Sequence, residues 1–209
     1  MLNNYFRRCI INQNFTKLAF TDSVKKIQEQ YGSRKSYARM EISGDKYVLT
    51  TREIPFIKSR DSFYMATVGE NGWPYIQYRG GAIGFLKVIN NTTLGYADFR
   101  GNMQYISAGN INSNSRASLF LIDYPSRQRL KIWAESKVVD ADDDQELLKK
   151  LIVPDYETKI ERIIVFNVLA YDWNCSQHIT PRYTTEEIAG EIGRLNPEIL
   201  KSCCPDDVE

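Results

Sequence analysis

Ser62-Phe63-Tyr64-Met65-Ala66-Thr67-Val68, then Gly69-Glu70-Asn71-Gly72, then Trp73-Pro74-Tyr75-Ile76-Gln77-Tyr78-Arg79, is the stretch whose reading decides the fold. Two runs rich in β-branched and aromatic residues flank four residues that tolerate tight turns. That order predicts a β-hairpin. Gly80-Gly81 breaks the second strand. Downstream the pattern repeats. Ile83 to Ile89 predicts a third strand, Asn90-Asn91 a turn and Thr92 to Ala97 a fourth strand. Ala117 to Asp123 and Leu130 to Val139 predict a fifth and a sixth around Tyr124-Pro125-Ser126. Ile160 to Tyr171 is a seventh, strongly apolar. Short strands joined by tight turns predict a mainly β chain, an antiparallel barrel with peripheral helices.

Helices are expected at four places. Thr21-Asp22-Ser23 before Val24, Ile27 and Tyr31 predicts an N-capped helix that ends at Gly32. Residues 102–108 predict a short helix with Asn102 as its cap, stopping at Gly109-Asn110. Asp142-Asp143-Asp144 caps a helix that runs to Leu151, and Thr184 with Glu187 forms a capping box for Thr185 to Arg194. Pro55 opens a segment that can be helical to Arg60. Ser36 to Thr51 reads as irregular, with a turn at Gly44-Asp45. The expected organisation is a helical and irregular extension over 1–55, the barrel over 56–175, and a loop and helix tail over 176–209.

Composition narrows the function classes. Hydrophobic residues are 43% of the 209 and charged residues 25%, a globular balance. The net charge is +1, but residues 1–60 hold 12 Lys and Arg against 5 Asp and Glu. No dense basic run accompanies that excess, so a nucleic-acid partner is not expected. No apolar run reaches the ~18 residues of a membrane span. The first 20 residues have neither an uninterrupted apolar core nor a small-residue cleavage site. A cytoplasmic chain without a membrane anchor is therefore the expectation. Cys9, Cys175, Cys203 and Cys204 fit no zinc spacing and read as reduced thiols. The single histidine, His178, excludes a histidine-rich metal site. No Walker loop, dinucleotide fingerprint or serine elbow is present. An enzyme of this composition would rely on a bound cofactor.

Four segments carry candidate chemistry. Gly95-Tyr96-Ala97-Asp98-Phe99-Arg100-Gly101-Asn102-Met103-Gln104-Tyr105-Ile106-Ser107 reads strand, loop, helix start. A helix start suits a phosphate, and Arg100 could add a charge-assisted contact. From residue types alone the plainer reading of the same residues, an ordinary N-cap beside a solvated arginine, is favoured. Gln77-Tyr78-Arg79-Gly80-Gly81 offers donors and close backbone approach at a strand end, or simply an exposed strand end. Arg127, Arg129 and Lys131 alternate with apolar residues, which makes either a ligand-facing or a solvated basic face. His178 and Arg182, in the loop before the tail helix, could close over a ligand or lie exposed.

Taken in order, these segments resemble a flavin-binding subset of the pyridoxamine 5′-phosphate oxidase-like family. The resemblance rests on Phe63 to Val68, Gly72 to Gly81, Gly84-Phe85-Leu86-Lys87, Ala97 to Asn102, Arg129 to Ile132 and Cys175 to Ile179. It implies a split β-barrel that works as a homodimer, with FMN at the subunit interface. It places Gln77, Tyr78, Arg79, Gly80 and Lys87 near the flavin ring and ribityl chain. Ala97, Asp98, Arg100, Gly101, Asn102 and Gln104 would lie near ribityl and phosphate, Arg129 at a ring contact, and His178 and Arg182 by the open face of the ring. No metal is implied. The resemblance departs at Met103, where relatives commonly carry a basic residue. The authentic oxidase's C-terminal Arg-and-His substrate signature has no clear counterpart. The expected activity is therefore an FMN-dependent oxidation or reduction of an unknown small molecule. The alternative is a flavin, deazaflavin or haem carrier of the same fold.

Overall fold

A computed structural model describes residues 6, 14–42, 47–154 and 159–195. The calls on Cys9, Gly44-Asp45, Cys203 and Cys204 lie outside the described residues. The chain forms two compact units. The first holds residues up to 122 together with 129–174, and the second holds 123–128 and the residues from 175 on.

The decisive stretch forms its hairpin. β1 (Ser62–Val68) pairs antiparallel with β2 (Pro74–Gly80), in register from Ser62↔Gly80 to Val68↔Pro74. Gly72, at φ +81°, closes the turn in a conformation that glycine adopts without cost. Asn71 Oδ1 accepts the Trp73 N–H at 3.1 Å. β3 (Lys87–Asn90), β4 (Thr93–Phe99), β5 (Arg116–Asp123), β6 (Gln128–Asp140) and β7 (Ile160–Asn174) complete a seven-stranded sheet ordered β2-β1-β5-β6-β7-β4-β3.

The sheet curls. Three strands separate β1 from β4, yet the Phe63 and Tyr96 rings stand 5.6 Å apart, edge to face. Inward residues of β1, β4, β5, β6 and β7 share one apolar core with Phe85, Leu86 and Ile111. A sheet that meets itself while its edge strands β2 and β3 stay unjoined is a split barrel. A second apolar cluster joins Ala97, Ile163 and Val165 on the outer face to Leu147 and Leu151 of α6 (Gln145–Leu151). Asp144 caps that helix through the Leu147 N–H at 2.8 Å.

Three calls change. α3 (Arg34–Ile42) occupies much of the segment read as irregular. It buries no residue, so it has no apolar stripe to read, and Arg34 is held by Glu41 at 2.8 Å. α1 (Phe15–Ala19) was not foreseen. Asn14 caps it and reaches Met40 O with its other side-chain atom, tying α1 to α3. The expected third strand, Ile83 to Ile89, shortens to β3. Residues 81–86 instead form a loop, where Gly84 adopts φ +75° with its Cβ position 2.9 Å from Lys58 O. α2 (Asp22–Gln30) and α7 (Thr185–Leu195) form as expected, the latter with both capping-box bonds between Thr184 and Glu187. Among the described residues no helix is long and apolar enough to cross a membrane.

α4 (Glu53–Lys58) is anchored through one buried carboxylate. Glu53 accepts the Thr50 N–H at 3.0 Å, the Thr50 hydroxyl at 2.6 Å and the Trp173 indole N–H at 2.7 Å. Burial pushes this carboxyl up, but the hydrogen bonds together bring it below its ordinary 4.5. A depressed folded value means stability that is present above the unfolded value and lost as pH falls through the folded one. Glu53→Gln is therefore expected to cost about 1.5–3 kcal/mol at pH 7, the range for hydrogen bonds to a charged group. Urea melts at pH 7 and pH 3 should show the variant losing less on acidification than the wild type. An equal loss in both would assign the acid sensitivity elsewhere.

Candidate functional site

The cleft is built where the two sides of the curled sheet face each other. Along β2, Tyr75, Gln77 and Arg79 are half-buried and alternate with exposed Pro74, Ile76 and Tyr78. Period-2 alternation therefore points Gln77 and Arg79 inward. Across from them, β4 presents Asp98, which is buried. Asp98 and Arg162 of β7 are direct partners in the strand register. Each carboxylate oxygen of Asp98 accepts from one guanidinium, Oδ1 from Arg79 at 3.0 Å and Oδ2 from Arg162 at 3.0 Å. Arg162 also donates to Glu161, whose other oxygen lies 3.4 Å from Arg100 Nε. Three guanidiniums thus share two carboxylates, which leaves an excess positive charge at the mouth.

The loop from Gly101 to Tyr105 and the first turn of α5 (Ile106–Ser113) form the other wall, around a cleft of about 250 Å³. Here the sequence call is corrected. The helix begins at Ile106 rather than 102, its cap position is Tyr105, and no side chain caps it. Asn102 instead accepts the Gln104 N–H at 3.2 Å, a local turn. The helix continues past Gly109-Asn110 to Ser113. Met103 (φ 59°) and Tyr105 (φ 55°) are both left-handed, a conformation costing roughly 1–2 kcal/mol for a side chain-bearing residue. Arg162 lies over the Tyr105 ring at 4.5 Å, which helps to hold the strained loop. Strain of this kind collects where backbone is shaped for a ligand.

The electrostatics follow from burial. Burial pushes the Asp98 carboxyl up, opposed by Arg79 and then Arg162. The Tyr96 hydroxyl is pushed far up by burial and next by Asp98, so it stays protonated. Ser107 donates to Gln77 Oε1 at 2.9 Å, which leaves the Gln77 amide nitrogen as a donor group at the cleft.

Gln77, Arg79, Asp98, Gly101, Asn102 and Gln104 are brought together here. Arg100 stands in the loop, 45% exposed, against Glu161 and the Met103 sulfur. Tyr78 and Gly80 belong to the same strand, but the Tyr78 ring packs on Tyr64 and over Gly80. Ala97 faces the α6 cluster and Lys87 lines a different cavity. Arg129 is opposite Asn174 at the far end of β6 and does not line the cleft. Arg127 lies in a turn at φ 53°, outside the strand it was grouped with. His178, exposed at φ 61°, and Arg182, over the Tyr124 ring at 5.0 Å, belong to the second unit. Sequence reasoning missed Arg162, while Tyr105 and Ser107 lay in the segment singled out but were given no role there. The signal available for Arg162 was a Glu-Arg pair at the start of an otherwise apolar strand.

An antiparallel split barrel with a cationic cleft between its facing sides defines the structural class. Residues 49–168 match the family model described as pyridoxamine 5′-phosphate oxidase, and the chain belongs to that family. No curated protein matches the chain. Among solved structures, a variant of HupZ from group A Streptococcus is similar with a TM-score of 0.50 at 14% identity, over 60% of this chain and 99% of that one. A candidate pyridoxamine 5′-phosphate oxidase from Lactobacillus delbrueckii gives 0.47 at 23% identity, over 61% and 95%. An FMN-binding protein from Syntrophomonas wolfei gives 0.44 at 14%, over 70% and 97%.

Proposed function

We propose that the cleft takes the phosphate end of FMN and that the protein is an FMN-dependent oxidoreductase of small molecules, assembled as a homodimer. The observation that carries this is the donor set: two half-buried guanidiniums, Arg79 and Arg162, beside a helix start that no side chain caps. A helix N-terminus and paired arginines suit one phosphate group, so the residues present fit a mononucleotide. Bound FMN would supply hydride or electron transfer, chemistry that the side chains alone lack. Arg79 and Arg162 would hold the phosphate, Gln77 would offer its amide as a donor, and the Gly101–Tyr105 loop would shield the site from water.

The second copy follows from size. A cleft of about 250 Å³ falls below the roughly 300–1,000 Å³ of sites that enclose a whole ligand of this kind. One chain covers the phosphate end and leaves the ring needing another wall. The back of β2 is apolar and open, with Ile76 64% and Tyr78 58% exposed beside Trp73 at 74%. Native mass spectrometry is the test. The expected species has twice the 24.2 kDa chain mass plus two FMN, and denaturation releases FMN. FAD, haem, a deazaflavin or no ligand after soaking with FMN overturns the cofactor. A monomer with FMN bound overturns the shared site.

A further inference from the structure

A second cavity, of about 570 Å³, lies beside β3. Lys58 from the last turn of α4, Lys87 from β3 and Lys150 from the last turn of α6 line it, with Ile83 and Ile89 as its apolar side chains. Among the described residues no carboxylate lines it. It belongs to the opposite face of the sheet from the arginine cleft. Lys87 pairs with Gly95, and directly opposed residues share a face. A Cβ on Gly95 would meet Ile89 and Leu151, so that face is the one α6 covers. Asp98 is three positions further along β4 and points the other way.

Two of the lysines sit where helix carboxyl ends favour cations, which accounts for their places but not for their convergence with Lys87. Three ammonium groups with no balancing acid among the described residues that line the cavity form a strongly anionophilic pocket. Ammonium groups are compact point charges that suit phosphates without demanding the planar fork of a carboxylate. The apolar side chains add a surface for an organic body, and the volume falls in the range of small-molecule sites. The loop at one side of the cavity is fixed by a close backbone approach. Gly84, at φ +75°, packs against the Lys58 carbonyl and donates to Arg60 O at 2.8 Å. That contact fixes the loop carrying Ile83 against the end of α4.

We infer that this cavity is a second ligand site, for a phosphorylated organic molecule of nucleotide size, independent of the arginine cleft. The test is isothermal titration of the full chain with ATP and, separately, with tripolyphosphate, both without divalent cations. One ATP per chain is expected, weakened about tenfold or more by the double variant Lys58→Glu/Lys150→Glu, since each lost charge-assisted contact is worth on the order of a tenfold change. The thermal unfolding midpoint of that variant should fall by only a few degrees, because both lysines are exposed and the loss is confined to the favourable charge at two helix ends. Arg79→Ala should leave ATP binding unchanged. No binding of ATP by the wild type, or full affinity in the double variant, overturns the site. Loss of ATP binding in Arg79→Ala moves the ligand to the cleft and also overturns it. Tripolyphosphate binding as tightly as ATP overturns the organic part, since the apolar side chains would then contribute nothing. None of these outcomes depends on FMN binding.

Discussion

Replacing Asp98 by alanine is expected to destabilise the apoprotein by about 3 kcal/mol, the lower end of the range for removing one partner of a buried ion pair. Asp98 is 5% exposed and neutralises two guanidiniums, Arg79 and Arg162, each at 3.0 Å. Without it, two like charges face each other in a space they were drawn into by their common partner. The lower end applies because both arginines are partly open to the cleft, where water can solvate them. For a chain of this size the midpoint of thermal unfolding should fall by roughly 6–12 °C. Asp98→Asn keeps the shape and one acceptor and should lose less. An anion in the cleft would restore what the carboxylate gave. FMN or inorganic phosphate should therefore raise the midpoint more in Asp98→Ala than in the wild type. Differential scanning calorimetry with and without each anion reads both effects. A variant as stable as the wild type would mean that the arginines turn to solvent. Equal stabilisation of both proteins by phosphate would place the anion away from Arg79 and Arg162.

What could be read in the sequence was local. The β1–β2 hairpin was legible because alternation, turn residues and strand composition agree over residues 62–80. The caps at Thr21, Asp144 and Thr184 were legible because each is a side chain acting on its own helix three residues on. α3 was not, because a helix that buries nothing leaves no period in its sequence. Ile83-Gly84-Phe85-Leu86 misled in the opposite sense. It is apolar enough for a strand, but Phe85 and Leu86 enter the core from a loop that Gly84, at φ +75°, permits. Asn102 was read as a helix cap on residue type, yet its side chain closes a local turn while an uncapped helix starts four residues later. The cleft shows the same limit. Arg79, Asp98 and the 100–104 loop were singled out, but Arg162 is 64 residues from the carboxylate it binds, a contact only the strand register brings about.

That register makes Arg162 the arginine whose loss should affect the cofactor most. Arg162→Ala is expected to weaken FMN binding by about 1.5–3 kcal/mol, which is a rise in Kd of roughly ten- to a hundredfold. Two roles add. The guanidinium is one of the two half-buried cations of the cleft, and it lies over Tyr105, the left-handed residue at the start of α5. Arg100→Ala should have a smaller effect, because Arg100 is 45% exposed and already paired with Glu161. Arg162→Lys separates the roles. Lysine retains the charge but cannot hold Asp98 and Glu161 at once, so binding should fall to between those of the alanine variant and the wild type. Met103→Arg tests the same electrostatics from the other direction. It adds a cation to the loop beside Arg100 and should tighten FMN. Fluorescence titration of the four variants gives the ranking, with circular dichroism of each apoprotein confirming that the barrel is intact. If Arg100→Ala costs more than Arg162→Ala, the phosphate sits on the exposed side of the loop. If none of the four changes the affinity, the cleft between β2 and α5 is not the flavin site, even though the barrel around it is as described.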